Sequence, residues 1–193
     1  MNFVRKKALL MKVDLSKFDN SWYYPGAGII RRLLWYGVNI VIFLSPLFPF
    51  YSLKRWLLRL FGAKLGKGVI VKPRVNIKYP WFLEIGDNVW IGEGVWIDNL
   101  GKVKIGNNVC ISQGAYLLTG NHNYKLSTFD LMVKEIVIED GVWIGAKSIV
   151  CPGVKCGNHS VLIAGSVATN DLEPYKIYQG NPATYKKDRI IEK

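Results

Sequence analysis

The sequence predicts an all-β solenoid, a parallel β-helix of about five coils, because aliphatic residues recur in it at a short fixed period. Ile105, Ile111 and Leu117 stand six residues apart, and a glycine or another small residue usually follows such a position. The same frame continues upstream at Leu65, Val71, Ile77, Ile85, Ile91 and Ile97 and downstream at Ile138, Ile144, Val150, Cys156, Leu162 and Ala168. A repeat of this length is typical of solenoids, in which each turn stacks on the next.

The spacing between coils places the β-helix at 65–173 and one long insertion within it. Three hexapeptides make one triangular coil. The coils begin at Leu65, Ile85, Ile105, Ile138 and Cys156. Successive starts are separated by 20, 20, 33 and 18 residues, so a loop at about 119–136 leaves the solenoid after the third coil. Loops carried by a rigid scaffold often hold functional residues, and His122 lies at the root of this one.

The segment 29–64 is predicted to be helical, apolar and basic. No charged residue occurs from Leu33 to Leu53, a stretch long enough to cross a membrane. Pro46 and Pro49 argue against one uninterrupted helix, so we expect two helices, at about 29–44 and 51–61. Three arrangements are open: the helices lie on a membrane surface, they cap the solenoid or pack against other subunits, or they form a true span.

Positive charge is concentrated at the N-terminal end of the chain. The first 64 residues contain eleven lysines or arginines and two aspartates, whereas residues 65–193 contain fifteen basic and twelve acidic residues. The second predicted helix carries Lys54, Arg55 and Arg59 among apolar residues, a mixture suited to an anionic lipid surface. Because the basic charge lies beside an apolar segment, it favours a membrane over nucleic acid as a partner.

The two ends of the chain and the cysteines carry less information. We assign no chemistry to the arm 1–28, and we expect the tail 174–193 to close the last coil as a short helix or irregular tail. Cys110, Cys151 and Cys156 lack the pairing of a disulfide framework and the spacing of a zinc site. No cleavable signal peptide is evident. We therefore expect a cytoplasmic protein, at the inner face of the membrane if the helices bind lipid.

Several motifs stand out within and beside the repeats. They are Thr-Gly-Asn-His-Asn-Tyr at 119–124 in the inserted loop, Gly-Asn-Pro-Ala at 180–183, Leu-Leu-Arg-Leu-Phe-Gly-Ala-Lys at 57–64 and Tyr-Pro-Trp at 79–81. With the repeats they resemble the hexapeptide-repeat acyltransferases, most closely the acetyltransferases of exopolysaccharide biosynthesis of the colanic-acid type. The resemblance implies a left-handed β-helix, acetyl-CoA as acyl donor, a small or lipid-linked saccharide as acceptor, and a homotrimer with sites between subunits.

Two histidines are the candidates for a general base. Acetyl transfer to a sugar hydroxyl requires removal of the hydroxyl proton, and an imidazole suits this task at neutral pH. We expect His159 to be a polar corner residue of the fifth coil, whereas His122 matches the catalytic base of the resembling family. The resemblance implies direct transfer in a ternary complex, without an acyl-enzyme.

The resemblance also assigns residues to coenzyme A. These residues are Trp143, Ala146, Ala164, Thr169, Lys186 and Lys187. The small ones would let the pantetheine arm lie along a groove between neighbouring solenoids, and the lysines would contact its phosphates. Thr184 stands where some relatives have a basic residue. The alternatives are ordinary coil packing for the alanines and a solvated tail for the lysines.

Residues for the acceptor are less sharply defined. By register, Gly92 stands where the sugar acetyltransferases of the family have an asparagine. Asp98 and Asn99 form the nearest polar pair, and they are candidates either to orient the base or to hold the acceptor. Asn123 and Tyr124 are candidates for contact with the acceptor sugar.

Other functions remain open on the same scaffold. An N-acetyltransferase of an amino sugar or sugar nucleotide would use the same base and donor. A catalytically silent membrane scaffold of a polysaccharide complex would need neither. A carbonic anhydrase is disfavoured, because a three-histidine zinc site cannot be assembled from two histidines, and we expect no metal.

Overall fold

Short strands, one for each hexapeptide, build the solenoid in the computed structural model, which describes residues 11–192. The first two coils contain β1 Lys64–Leu65, β2 Ile70–Val71, β3 Asn76–Ile77, β4 Leu83–Ile85, β5 Trp90–Ile91 and β6 Trp96–Asp98. The third coil contains β7 Val103–Ile105, β8 Cys110–Ile111 and β9 Tyr116–Leu118, and the inserted loop contains β10 Gly120–His122 and β11 Leu131–Val133. The last strands are β12 Ile136–Ile138, β13 Trp143–Ile144, β14 Ile149–Val150, β15 Lys155–Cys156, β16 Val161–Leu162, β17 Val167–Ala168, β18 Lys176–Gly180 and β19 Ala183–Asp188.

Both predicted helices are present on either side of the two prolines. Helix α1 spans Ile29–Val38 and continues into a π-helical turn at Asn39–Phe43, and α2 spans Tyr51–Leu60. Single 3₁₀ turns occupy Leu15–Lys17 and Pro80–Phe82.

The strands form three sheets, which are the faces of the solenoid. Face one consists of β1, β4, β7, β12 and β15, and face three of β3, β6, β9, β14 and β17. Face two consists of β2, β5, β8, β13 and β16, followed by β18 and β19. Each coil contributes one strand to each face, and the strands of successive coils pair in parallel. The prediction of about five coils is confirmed, and β18 begins a sixth turn.

Residues of the six-residue frame stack on one another through the solenoid. On face one, Ile85 is in register with Ile105, Ile105 with Ile138, and Ile138 with Cys156. These four side chains are at most 5% exposed. Burial of this apolar column stabilises the coils and fixes their register, because a slip of one residue would turn the whole frame towards solvent.

The helices cover the open edge of the first coil. Trp35 is buried and donates its indole N–H to the Ile77 carbonyl at 2.8 Å. The Asn39 side-chain amide donates to Asn76 Oδ1 at 2.7 Å, and its oxygen accepts the Ile77 amide at 3.3 Å. The edge of a sheet presents unpaired backbone groups, so the helices act as the cap that the sequence offered as one arrangement.

The basic residues of α2 point towards the solenoid. Lys54 is fully buried and donates to the Lys72 carbonyl at 3.0 Å, and Arg55 donates to the Val69 carbonyl at 3.0 Å. Arg59 donates to carbonyl groups of the adjoining corner of the first coil. Lys54 and Arg55 are thus engaged by the first coil, whereas Arg59 remains exposed to solvent. Within residues 11–192, no helix has both the length and the apolar character needed to cross a bilayer.

The two ends of the described chain also pack on the solenoid. Strand β18 pairs with β16 in parallel and turns back through β19, so a β-hairpin replaces the expected short helix or irregular tail. At the other end, the Asp14 amide donates to the Ser127 carbonyl at 2.8 Å, and Tyr23 donates its hydroxyl to the Leu100 carbonyl at 2.8 Å. The arm therefore lies beside the inserted loop.

Candidate active site

The inserted loop begins as an antiparallel hairpin that holds His122 at the corner between faces three and one. Strand β10 pairs with β11, and His122 is in register with Leu131. Thr119 anchors the root of the hairpin, because its amide donates to the Asp98 carbonyl at 3.2 Å and its hydroxyl accepts the Gly101 amide at 2.9 Å. A short loop at 123–130 closes the hairpin.

A backbone carbonyl determines the tautomer of His122. Nδ1 lies 2.9 Å from the Phe129 carbonyl oxygen, which can only accept a hydrogen bond, so Nδ1 carries the proton. Nε2 is then the unprotonated nitrogen and can accept a proton. Phe129 has a φ of +54°, a left-handed conformation that is uncommon for an aromatic residue and that directs its carbonyl towards the imidazole.

Two phenylalanines enclose the imidazole of His122. The ring of Phe129 stacks on it with centroids 4.5 Å apart and an interplanar angle of 8°, and the ring of Phe18 lies at 5.7 Å. Phe18 belongs to the N-terminal arm, to which no role could be assigned from the sequence. No motif or periodicity connects the arm with the loop, so only the three-dimensional structure shows this contact.

A groove of about 380 Å³ lies beside this aromatic cluster. Phe18, Tyr23, Arg32, Lys78 and Leu131 are among its lining residues. Arg32 Nε is buried and has no hydrogen-bond partner within residues 11–192. Burial, together with nearby Tyr79 and Asp98, raises the pKa of Tyr23 well above its usual value, so its hydroxyl stays protonated. Arg32 and Lys78 are thus basic residues near the catalytic candidate that the sequence did not reveal.

Asp98 lies one coil before His122 at the same corner of the solenoid. Its carboxylate pairs with Lys78 at 2.9 Å and accepts the Tyr116 hydroxyl at 3.2 Å. Burial and the Asp98 charge raise the pKa of Tyr116 to about 12, so this hydroxyl remains a donor. Since the Phe129 carbonyl bonds to His122 Nδ1, that carbonyl is the group that orients the imidazole.

The other acceptor candidates differ in how far they are accessible. Asn99 is fully buried, and its side-chain amide exchanges two hydrogen bonds with the Tyr79 backbone, at 2.6 and 2.9 Å. This amide is therefore occupied in joining two coils. The Asn123 backbone N–H donates to the Asp130 carbonyl, and the Tyr124 side chain is exposed. Tyr124 thus projects from the loop beside the base.

Two of the residues assigned to coenzyme A, Ala146 and Ala164, lie along the corner between faces two and three, whereas Thr169 lies at the end of face three, at the corner between faces three and one. Ala146 follows β13, Ala164 follows β16, and Thr169 directly follows β17. Coils approach closely here, because a Cβ on Gly145 would lie 2.7 Å from the Leu162 carbonyl oxygen and closer still to the Ala164 amide. This strip of small residues, with Ala164 exposed, fits a narrow ligand that lies along the corner.

The remaining donor candidates flank that corner. Trp143 is half-exposed on face two and donates its indole N–H to Ser112 Oγ at 2.9 Å. Lys186 and Lys187 are exposed on β19, where two ammonium groups suit phosphate oxygens. Apart from Thr169, which lies at the same corner as His122, these residues are separated from His122 by at least the width of one face, so one chain does not bring the base and most of the donor candidates together.

His159 has a structural position, and the described residues contain no candidate metal site. His159 occupies a corner with a φ of +56°, and its ring packs on Tyr175 with centroids 4.8 Å apart. In the described part of the chain, no three His, Cys, Asp or Glu residues are grouped so that they could hold a metal ion.

Comparisons with known proteins place this chain in one family, although no protein-family model matches it. The chain is 37% identical over 177 residues to a protein described as the colanic acid biosynthesis acetyltransferase WcaF of Escherichia coli K12, covering 92% of this chain and 97% of that protein. A galactoside O-acetyltransferase of the same organism is 32% identical over 123 residues, or 62% of this chain and 61% of the relative. A hexapeptide-repeat acetyltransferase of Vibrio cholerae, solved with acetyl coenzyme A, superposes with a TM-score of 0.77 at 25% identity, covering 87% of this chain and 93% of that one. The chain therefore belongs to the hexapeptide-repeat acetyltransferases of the WcaF type and is an acetyl-CoA-dependent acetyltransferase.

Proposed function

We propose that the protein is an O-acetyltransferase that acts on a sugar hydroxyl of an exopolysaccharide or capsule precursor, with His122 as general base. The observation that carries this proposal is the hydrogen bond between His122 Nδ1 and the Phe129 carbonyl at 2.9 Å. It leaves Nε2 free to take a proton, which is what attack by a hydroxyl on a thioester requires.

Each residue of the site has a defined part in this reaction. His122 Nε2 removes the proton of the sugar hydroxyl as the oxygen forms a bond to the acetyl carbonyl carbon. When the bond between that carbon and the thioester sulfur breaks, the imidazolium returns the proton to the sulfur. Phe18 and Phe129 hold the imidazole between them, which keeps it in the orientation needed for both steps.

The groove beside Phe18 is the proposed site of the acceptor. It is bounded by Arg32 and Lys78, and the unpartnered Arg32 Nε can donate to a hydroxyl or an anionic group of the saccharide. Asp98, Asn123 and Tyr124 are the proposed further contacts. The WcaF relative is named for colanic acid biosynthesis, which supports a small or lipid-linked saccharide as the acceptor.

The donor is proposed to bind between subunits of a homotrimer. Within one chain, His122 and the strip at Ala146 and Ala164 lie at opposite edges of face three. If solenoids pack side by side, the strip of one subunit faces the hairpin of the next, with Trp143, Thr169, Lys186 and Lys187 completing the donor groove. The same arrangement accounts for two half-sites on a single chain.

The test is release of coenzyme A by the purified full-length protein. It is supplied with acetyl-CoA and a panel of neutral and amino sugars, with membrane extract as a source of lipid-linked saccharides. The wild-type protein should acetylate a hydroxyl, and His122→Ala should lose on the order of a hundredfold or more in kcat. His159→Asn is the matched control, because asparagine tolerates the left-handed corner, and it should retain full activity.

The other outcomes decide between the alternatives. Equal activity of wild type and His122→Ala would show that His122 is not the base. Acetylation of an amine would establish an N-acetyltransferase of the same family. If neither the panel nor the membrane extract accepts an acetyl group, the proposal of an exopolysaccharide or capsule precursor as acceptor is wrong.

A further inference from the structure

The helical cap exposes an apolar surface at the end of the solenoid. Ile30, Leu34 and Val41 lie along one side of α1 and its π-helical extension, and each is more than half exposed. Trp56 and Leu60 form a similar stripe on α2. The opposite sides of both helices contact the first coil, so these stripes face away from the body of the protein.

The outer side of α2 is apolar although its inner side already packs against the first coil. The inner side carries Lys54, Leu57 and Leu58, which are buried, and the outer side carries Trp56 and Leu60. A helix whose outward side is apolar exposes a surface of the kind that marks a protein or membrane contact.

The charge around the cap shows what can cover it. Residues 20–83 contain ten lysines or arginines and no aspartate or glutamate. Three of the ten form ion pairs with acidic residues of later coils, through Lys64, Arg74 and Lys78. The other seven form no ion pair within the described residues. Only Lys54 of these seven is fully buried, and hydrogen bonds to neutral carbonyl groups leave the arginine charges in place, so the surface is apolar and strongly positive.

We propose that the cap docks on the surface of a bilayer that contains anionic phospholipid. The apolar stripes enter the boundary between head groups and acyl chains, and the basic residues around them are attracted by the negative lipid charge. A second copy of the same cap is a poorer occupant, because two surfaces of like charge would repel each other. The proposal does not depend on the acetyl acceptor or on the role of His122.

Flotation with vesicles tests the proposal on the full-length protein. The vesicles consist either of phosphatidylcholine alone or of equal parts phosphatidylcholine and phosphatidylglycerol. The wild-type protein should float with the anionic vesicles and at least about tenfold less with the neutral ones. The double variant Ile30→Gln with Leu34→Gln should lose on the order of tenfold in partition for each side chain withdrawn from lipid.

A matched variant and the size of the assembly distinguish lipid binding from self-association and from misfolding. Ile190→Gln with Ile191→Gln removes exposed apolar residues at the far end of the chain and should float like the wild type. An unchanged thermal unfolding midpoint will show that the double variant Ile30→Gln with Leu34→Gln, the cap variant, still folds. The proposal is overturned if the wild type stays at the bottom of both gradients or if the cap variant floats equally well. It is also overturned if the cap variant changes only the size of the assembly.

Discussion

The buried ammonium of Lys54 should make the stability of the protein depend on pH in the alkaline range. Lys54 is fully buried in the cap, donates to the Lys72 carbonyl and lies over the ring of Phe43, with its Nζ 5.7 Å from the ring centroid. It forms no ion pair within the described residues, and burial lowers the pKa of its ammonium from 10.5 to about 8. The folded protein therefore releases this proton at a lower pH than the unfolded chain does.

The sign and size of the effect follow from that difference. Below pH 8 both states are protonated, and the desolvation cost of the charge opposes folding in full. Between about pH 8 and pH 10.5 the folded state loses the proton first, so this cost is relieved and stability rises with pH. A shift of this size gives a gain of about 2 kcal/mol by pH 10, after a reduction for partial screening by solvent.

Urea denaturation at several pH values measures this gain as a difference between proteins. In Lys54→Met an apolar side chain of similar length occupies the cap and cannot titrate. The free energy of unfolding of the wild type, minus that of the variant, should increase by about 2 kcal/mol from pH 7 to pH 10. Taking the difference removes the titration of all groups that the two proteins share.

An exposed lysine supplies the control for this experiment. Lys67→Met removes a solvent-exposed ammonium from the same coil, and its difference curve should stay flat. A flat curve for Lys54→Met as well would refute the reasoning, since it would mean that Lys54 is solvated in the folded state. A curve that falls with pH would mean that an anionic partner stabilises the charge.

Two further predictions concern the active site and the strip of small residues. Phe129→Gly keeps the left-handed backbone and its carbonyl but removes the stacked ring. In steady-state assays kcat should fall roughly tenfold while the KM for acetyl-CoA stays unchanged. An unchanged kcat would show that the ring does not position His122. Gly145→Ala places a methyl group against the Leu162 carbonyl and the Ala164 amide. In urea denaturation this variant should have a free energy of unfolding lower than that of the wild type by about 2 kcal/mol. Wild-type stability would contradict such close stacking of the coils.

The site illustrates where sequence reasoning reaches its limit. His122 is prominent because its loop interrupts a regular repeat, so a count of residues is enough to find it. The Phe129 carbonyl that orients it is not visible in sequence, because the backbone of any residue could have supplied it. Phe18 reaches the same imidazole from the arm through tertiary packing alone. The roles of both residues in catalysis stay predictions until the variants are measured.

Asn99 and the α2 basic residues show the same limit for polar side chains. Asp98 and Asn99 are neighbours in sequence, yet their side chains have different partners. The Asn99 amide is buried against Tyr79, and the Asp98 carboxylate pairs with Lys78. The composition of α2 suggested that its charges would face lipid, but two of them, Lys54 and Arg55, bind carbonyl groups at the edge of the first coil. The composition of a helix shows which side chains it carries, but the elements packed against the helix determine where those side chains point.

The hexapeptide repeat was sufficient to predict the solenoid, the coil starts and the position of the insertion, whereas the candidate base came from the family resemblance. It was sufficient because a six-residue repeat is a local signal, and burial of each apolar leader against the next fixes the register. The positions of the arm, the cap and the C-terminal hairpin became known only from the three-dimensional structure. Those segments have no repeat, so their positions depend on which backbone groups the solenoid leaves unpaired at its ends and corners.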